Sequence, residues 1–307
     1  MTPASRLSRS VRRNKSKDKK VVPDLLKSWG GIAAQIRKRG RVTIFLDFDG
    51  TLVDIAPRPE LVKLKPEAQE VLRRLAKHPL ATLVVVSGRR RAELLEHIGV
   101  PDIHYFGLYG WERDEKSALP ADAQKALREA HETLEPLLKK YPNLWIEDKN
   151  SSLSVHLLHV PKARHEALRE ELRAVLTPFW KKLHAVGNIR DVEILPRSIP
   201  GKGLAVKEFL RDHAEKKSLA FYFGDDYSDE SGFAAVGRGV SVQVGKARET
   251  KARYRVKTPR ETAEALGRIL GVLEEIEKGG ADGAKARRGR CGTAVDRHFR
   301  LEQGFRG

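Results

Sequence analysis

Three short apolar runs, Ile44-Phe45-Leu46, Leu83-Val84-Val85-Val86 and Leu219-Ala220-Phe221-Tyr222-Phe223, each stop at a polar, glycine-containing turn. The turns read Asp47-Phe48-Asp49-Gly50-Thr51, Ser87-Gly88-Arg89 and Gly224-Asp225-Asp226. In an open parallel α/β sheet, ligands sit beyond the carboxyl ends of the strands, so three turns far apart in sequence can converge on one site. A fourth piece, Gly201-Lys202-Gly203, opens an apparent helix over 204–210 and sets a cation beside helical N–H groups suited to an anion. The predicted fold class is therefore α/β, with a doubly wound, Rossmann-like parallel-sheet core.

In an extended strand Leu46 and Phe48 point to one face while Asp47 and Asp49 point to the other, so both carboxylates can reach one crevice. Taken alone, Asp49-Gly50 also suits a plain exposed turn after a core strand. Carboxylates crowded together repel unless a cation joins them, and an all-oxygen set from Asp47, Asp49 and Asp225 suits a hard divalent ion such as Mg2+. Such an ion holds Asp47 ionised as a nucleophile and offsets the negative charge of a phosphate. Asp49, at the turn, is then placed to act as general acid for a leaving alcohol and as base for water.

Asp47-Phe48-Asp49-Gly50-Thr51, the strand-ending Ser87, Lys202 and the run from Gly224 through Asp225, Asp226, Tyr227, Ser228 and Asp229 to Glu230 resemble, in order and in strand context, the four motifs of haloacid dehalogenase-type phosphatases. The resemblance implies an aspartyl-phosphate mechanism, in which Asp47 attacks phosphorus, Asp49 handles protons, and Ser87 and Lys202 hold phosphate oxygens. It implies Mg2+ bound by Asp47, the Asp49 main-chain carbonyl and Asp225. Thr51, Gly88 and Arg89, inside the first two motifs, are expected to contact substrate, and Asp226 and Asp229 to support the metal or Lys202 from behind.

The texture changes between Tyr109 and Arg197, where the strand-helix alternation is interrupted by an expected inserted α/β cap. Its expected order is a helix over 121–140, strands around Trp145 and over 153–158, a helix over 163–180 and a strand over 192–195. Leu127, His131, Leu134 and Leu138, at helical spacing, read as cap core. The expected boundaries are a basic, disordered tail over 1–22, a core over 23–110 and 197–277, a cap over 111–196 and a second basic tail over 278–307.

Glu147-Asp148-Lys149 followed by Ser152-Leu153-Ser154-Val155-His156, Val192-Glu193-Ile194-Leu195-Pro196, and Gly107-Leu108-Tyr109-Gly110-Trp111-Glu112 resemble the cap and hinge signatures of trehalose-6-phosphate phosphatases. By position, Glu147, Lys149 and Glu193 match residues with which that family's cap binds sugar hydroxyls. The resemblance implies a phosphoric monoester hydrolase for trehalose 6-phosphate. The chain departs from the family after His156, where an aromatic and an arginine are usual and Leu157 and Leu158 stand instead; His159, Arg164 or Arg190 are candidate replacements. Tyr109 stands where the family often has histidine. Another phosphorylated sugar, of the sucrose-phosphate or mannosyl-phosphoglycerate type, is the alternative substrate.

The chain of 307 residues can bury one α/β core plus a lid, and 40% hydrophobic content is ordinary for an enzyme in water. No run is apolar enough to span a membrane, and residues 1–20 lack an apolar signal-peptide segment, though their Arg/Ser content also fits organelle targeting. A cytoplasmic monomer acting on a small sugar phosphate is expected. A single cysteine, Cys291, excludes a disulfide framework. Of the net charge of +18, residues 1–20 carry eight Lys/Arg against one Asp, and residues 280–307 seven against three acids. Such ends read as solvated tails; a non-catalytic scaffold binding nucleic acid through them is the rival reading.

Overall fold

The computed structural model describes residues 22–56, 58–114, 119–157, 159–187, 191–199, 201–213 and 218–291. The first part of the chain forms α1 (Trp29–Arg39), β1 (Val42–Leu46), α2 (Pro66–Lys77), β2 (Ala81–Val86), α3 (Arg91–Ile98) and β3 (His104–Phe106). The middle part forms α4 (Ala121–Lys140), β4 (Trp145–Asp148), β5 (Leu153–His156), α5 (His165–Leu176), β6 (Leu183–Gly187) and β7 (Asp191–Pro196). Then follow α6 (Lys202–Asp212), β8 (Leu219–Gly224), α7 (Glu230–Ala235), β9 (Val240–Val244), β10 (Tyr254–Val256) and α8 (Pro259–Cys291).

Six strands make one parallel sheet in the order β10-β9-β8-β1-β2-β3. Strand β1 is all apolar except Thr43 because both of its faces are covered. Val42, Ile44 and Leu46 join a core with Ile32, Ile36, Leu72, Leu94 and Leu266, drawn from α1, α2, α3 and α8. Phe45 points the other way, among Val206 and Phe209 of α6 and Phe233 of α7. There it meets Phe209 edge-on, with ring centroids 5.7 Å apart and planes at 90°. From β1 the chain first lays strands on one side and later returns to lay β8 on the other, so β1 and β8 flank the point where strand order reverses.

A second sheet, antiparallel and ordered β4-β5-β7-β6, is inserted between β3 and α6. One of its faces, with Val155, Ile194 and Leu183, packs on Leu127 and Leu134 of α4 and Leu168 and Leu172 of α5. Strict alternation leaves Glu147, Ser154 and Glu193 on the opposite face, in register across β4, β5 and β7.

The cap differs from expectation in two details. A fourth strand, β6, exists where none was expected, because Lys-Lys-Leu-His-Ala-Val-Gly mixes charge, histidine and glycine and carries almost no strand signal until it pairs with β7. The helix expected over 163–180 is α-helical only over His165–Leu176, flanked by single 3-10 turns at Lys162–Arg164 and Thr177–Phe179. Pro178 lacks the N–H that an α-helix would need there. Helix α8 extends to Cys291, past the expected tail boundary at 278, while residues 1–21 and 292–307 lie outside the described residues. No helix among the described residues is long and apolar enough to cross a membrane.

Candidate active site

Asp47 leaves the end of β1 with its N–H donating to Phe223 O at 3.0 Å, so the β1–β8 ladder fixes its direction. Lys202, the first residue of α6, donates from Nζ to Asp47 Oδ1 at 2.8 Å and to Asp229 Oδ1 at 2.7 Å. Tyr222, on β8, donates its hydroxyl to the same Asp229 oxygen at 2.8 Å, and Asp226 N–H donates to Asp229 Oδ2 at 3.0 Å. All three side chains of the lysine-centred pair of ion pairs are buried. Residues 155 and 27 positions from Lys202 thus close one network. Gly203 lets α6 approach this closely, since a Cβ there would stand 2.6 Å from Ser231 O.

Asp225 completes the acidic cluster: ligand oxygens of Asp47, Asp225 and Asp229 all lie within 4.8 Å of one another. Gly50 and Gly224 have no side chain because Asp225 and Asp229, respectively, occupy the space where a Cβ would go. Burial, with Lys202 only partly offsetting it, pushes the Asp47 carboxyl up to about 7, and burial together with Asp47 and Asp229 raises Asp225 well above its ordinary value. Burial would lower the Lys202 ammonium, but Asp229 and Asp47 outweigh it and hold the ammonium above its ordinary range.

One buried ammonium against three carboxylates leaves excess negative charge, and among the described residues no hydrogen bond reaches the Asp225 side chain. A hard, oxygen-seeking divalent cation fits that donor set. Asp229 already accepts from three donors and acts as a brace; Asp47 and Asp225 keep oxygens available for such an ion.

The Asp49 side chain stands apart from this trio. Its two oxygens accept a bidentate pair from Arg89, Nε and Nη2, each at 2.7 Å. Arg89, almost fully buried, therefore serves Asp49 in this state, and its guanidinium stands 5.3 Å from the Phe48 ring centroid. Ser87 is buried at the end of β2, and its Oγ accepts the Arg89 N–H at 3.2 Å. Thr51 is fully buried, with an Oγ1 that has no partner among the described residues. Gly88 lies directly beneath the Tyr109 phenol. Glu112 braces this region by accepting Arg91 N–H at 2.7 Å and Arg90 Nη2 at 3.2 Å.

On the cap sheet Glu193 accepts Ser152 Oγ at 2.6 Å, a short bond from Ser154 Oγ, and Lys149 Nζ at 3.5 Å. Glu147 pairs with His156 Nε2 at 3.0 Å, a bond that holds its carboxyl below the usual range. The His156 ring in turn stacks on Trp145, with centroids 3.8 Å apart. Glu147 adds to the forces that raise Arg89, and Lys149 to those that lower Glu93, so this polar face lies within electrostatic reach of the turn that follows β2. Tyr109, Trp145, Ser152 and Ser154 carried no role in the sequence reading, because their partners are set by register and by the hinge rather than by local spacing. Leu158 and Arg190 lie outside the described residues.

A parallel sheet whose reversal point carries an acid trio and a lysine at the first position of a helix, with an α/β cap inserted after its third strand, is the fold of capped haloacid dehalogenase-like proteins. The fold is shared with a haloacid dehalogenase-like hydrolase from Bacteroides thetaiotaomicron, at TM-score 0.53 and 18% identity over 75% of this chain and 99% of that one. It is also shared with the C-terminal domain of Candida albicans trehalose-6-phosphate phosphatase, at TM-score 0.70 and 18% identity over 82% of this chain and 98% of that one. In sequence, residues 45–260 match the trehalose-phosphatase family. The chain is 31% identical to a probable trehalose-phosphate phosphatase from Oryza sativa subsp. japonica, over 81% of this chain and 71% of the relative. The chain belongs to the trehalose-phosphatase family.

Proposed function

We propose that the protein hydrolyses trehalose 6-phosphate to trehalose and phosphate in a Mg2+-dependent reaction. The observation that supports this reading most is Lys202 bridging Asp47 and Asp229 at 2.8 and 2.7 Å, which fixes Asp47 at the strand reversal with one oxygen tied and the other open. In the first half-reaction the open Asp47 oxygen attacks phosphorus, the bond from phosphorus to the sugar oxygen breaks, and Asp49 donates its proton to that oxygen. In the second, Asp49 takes a proton from water, the water oxygen attacks the aspartyl phosphate, and Asp47 leaves as carboxylate.

Ser87 and Lys202 hold phosphoryl oxygens, with Thr51, Gly88 and Arg89 lining the same mouth. Asp49 reaches the leaving oxygen only after exchanging its Arg89 pair for substrate. Asp47, Asp225 and the Asp49 main-chain carbonyl would hold Mg2+, with Asp226 and Asp229 supporting them; the ion supplies positive charge opposite the phosphoryl group. Glu147, Lys149 and Glu193 present donors and acceptors to sugar hydroxyls from the cap.

Leu157, fully buried in the cap core, cannot supply the sugar-facing group usual after His156, which gives a second phosphorylated sugar a place as substrate. Initial rates of phosphate release across phosphorylated mono- and disaccharides at fixed Mg2+ decide between them. Trehalose 6-phosphate is expected to give the highest kcat/KM; a clear preference for sucrose phosphate or a mannosyl ester would overturn the substrate assignment.

A further inference from the structure

Tyr109 is held in a conformation that side chains rarely adopt. Its φ is +57° and that of Leu108 is +45°, both in the left-handed region, where a bulky residue is an outlier that its surroundings must enforce. The enforcement is visible. Leu108 N–H donates to Arg89 O and Tyr109 N–H to Ser87 O, each at 2.8 Å, so the turn is pinned to the strand end that carries Ser87. On its other side Gly110 (φ +97°) leaves room for Ala205 of α6.

The pinned backbone delivers the phenol into the cleft. A Cβ on Gly88 would stand 2.9 Å from the Tyr109 hydroxyl oxygen, and Lys202 Nζ lies 6.0 Å from the ring centroid. The ring also packs against the cap's hydrophobic cluster, so Tyr109 spans the seam between core and cap.

The hydroxyl has no hydrogen-bond partner among the described residues. Several nearby acceptors are engaged, Glu193 by Ser152 and Ser154, and Asp47 Oδ1 and Asp229 by Lys202, while the second Asp47 oxygen stays open. Burial, with Glu193, Asp226, Asp47 and Asp229 adding to it, raises the phenol's ionisation well above its ordinary value, so the group remains a donor. A neutral donor beside Ser87, Gly88 and Lys202 that is spent on no protein acceptor is available to an oxygen brought by a ligand.

We propose that the Tyr109 hydroxyl donates a hydrogen bond to a phosphoryl oxygen of the substrate, adding a donor to the cradle formed by Ser87 and Lys202. The inference rests on the phosphatase reading of this site but not on the identity of the sugar. A backbone constrained at this cost then has a purpose: it aims one oxygen at the phosphate.

The test is Tyr109→Phe, which removes that oxygen and keeps the ring. Rates are measured with trehalose 6-phosphate and with 4-nitrophenyl phosphate at saturating Mg2+, along with inhibition by inorganic phosphate and the thermal midpoint. The expected kcat/KM falls about 100-fold on both substrates, the lower end for loss of one preorganised donor. The phosphate inhibition constant rises about 3- to 10-fold, and Tm stays unchanged because the free protein loses no bond.

Equal activity of variant and wild type on both substrates would overturn the proposal and make Tyr109 a packing residue. A loss confined to trehalose 6-phosphate would overturn it by placing the hydroxyl on the sugar. Should Tyr109→Phe unfold, Tyr109→Leu, which also removes the hydroxyl, carries the same comparison of phosphate inhibition: a rise of about 3- to 10-fold is expected, and an unchanged constant would overturn the proposal. Wild-type enzyme active only on 4-nitrophenyl phosphate would sink the trehalose assignment while leaving the Tyr109 comparison readable.

Discussion

The core site and the polar face of the cap handle charge in opposite ways. In the core, three carboxylates stand around one buried ammonium, and the deficit is built in: Asp47 is driven toward protonation by burial and by Asp229, and Asp225 by burial, Asp47 and Asp229. In the cap each carboxylate has hydrogen-bonding partners on the same polar face, Glu193 in Ser152, Ser154 and Lys149, and Glu147 in His156. The core therefore stores a demand for a cation, whereas the cap face is complete without a ligand. On the proposed reading, chemistry belongs to the first region and sugar recognition to the second.

The contrast is most severely tested by removing Lys202. Lys202→Ala strands Asp47 and Asp229 in a buried site, and loss of one partner from such a pair costs about 3–5 kcal/mol. Urea denaturation is expected to show that loss, and turnover on every phosphate ester to vanish with it. A variant of wild-type stability would mean that the core network is no tighter than the cap's.

Divalent-ion removal comes next. Because the Asp47 carboxyl is raised from 3.8 to about 7, the metal-free protein holds this proton more tightly than the unfolded chain does. Its contribution to stability is present below the unfolded value and is lost as pH rises through about 7, at roughly 1.4 kcal/mol per pH unit for one group. In EDTA, Tm is expected to fall between pH 4 and 7, and added Mg2+ to restore it most at the alkaline end. A Tm independent of both EDTA and pH would contradict a stored cation demand.

Smallest is the cap effect. Glu193→Ala and Glu147→Ala are each expected to lower kcat/KM for trehalose 6-phosphate roughly tenfold, the scale of one lost hydrogen bond to a charged group. Rates with 4-nitrophenyl phosphate should hold. Equal losses on both substrates would erase the division between chemistry in the core and recognition in the cap.

The same division separates what the sequence announced from what it hid. An apolar run ending in Asp-Phe-Asp-Gly-Thr is a local signal, and Asp47, Ser87, Lys202 and Asp225 could be gathered because parallel strands deliver their ends to one edge. The Asp49–Arg89 pair spans 40 positions and depends on how two strand-end turns face each other, which no spacing encodes. Ser152 and Ser154 look like ordinary strand polar residues until register sets them against Glu193. Leu108-Tyr109 gives no hint of its left-handed backbone, since glycine, the usual marker, flanks the turn rather than occupying it. Strand β6 exists only through its pairing with β7.

The central claim is covalent capture of phosphorus by Asp47. Wild-type enzyme mixed with trehalose 6-phosphate and Mg2+, acid-quenched within a turnover and digested, should yield the peptide containing Asp47 with one added phosphoryl group, absent from Asp47→Asn. An unmodified Asp47 peptide alongside rapid phosphate release, or an Asp47→Asn enzyme that still turns over, would contradict the account.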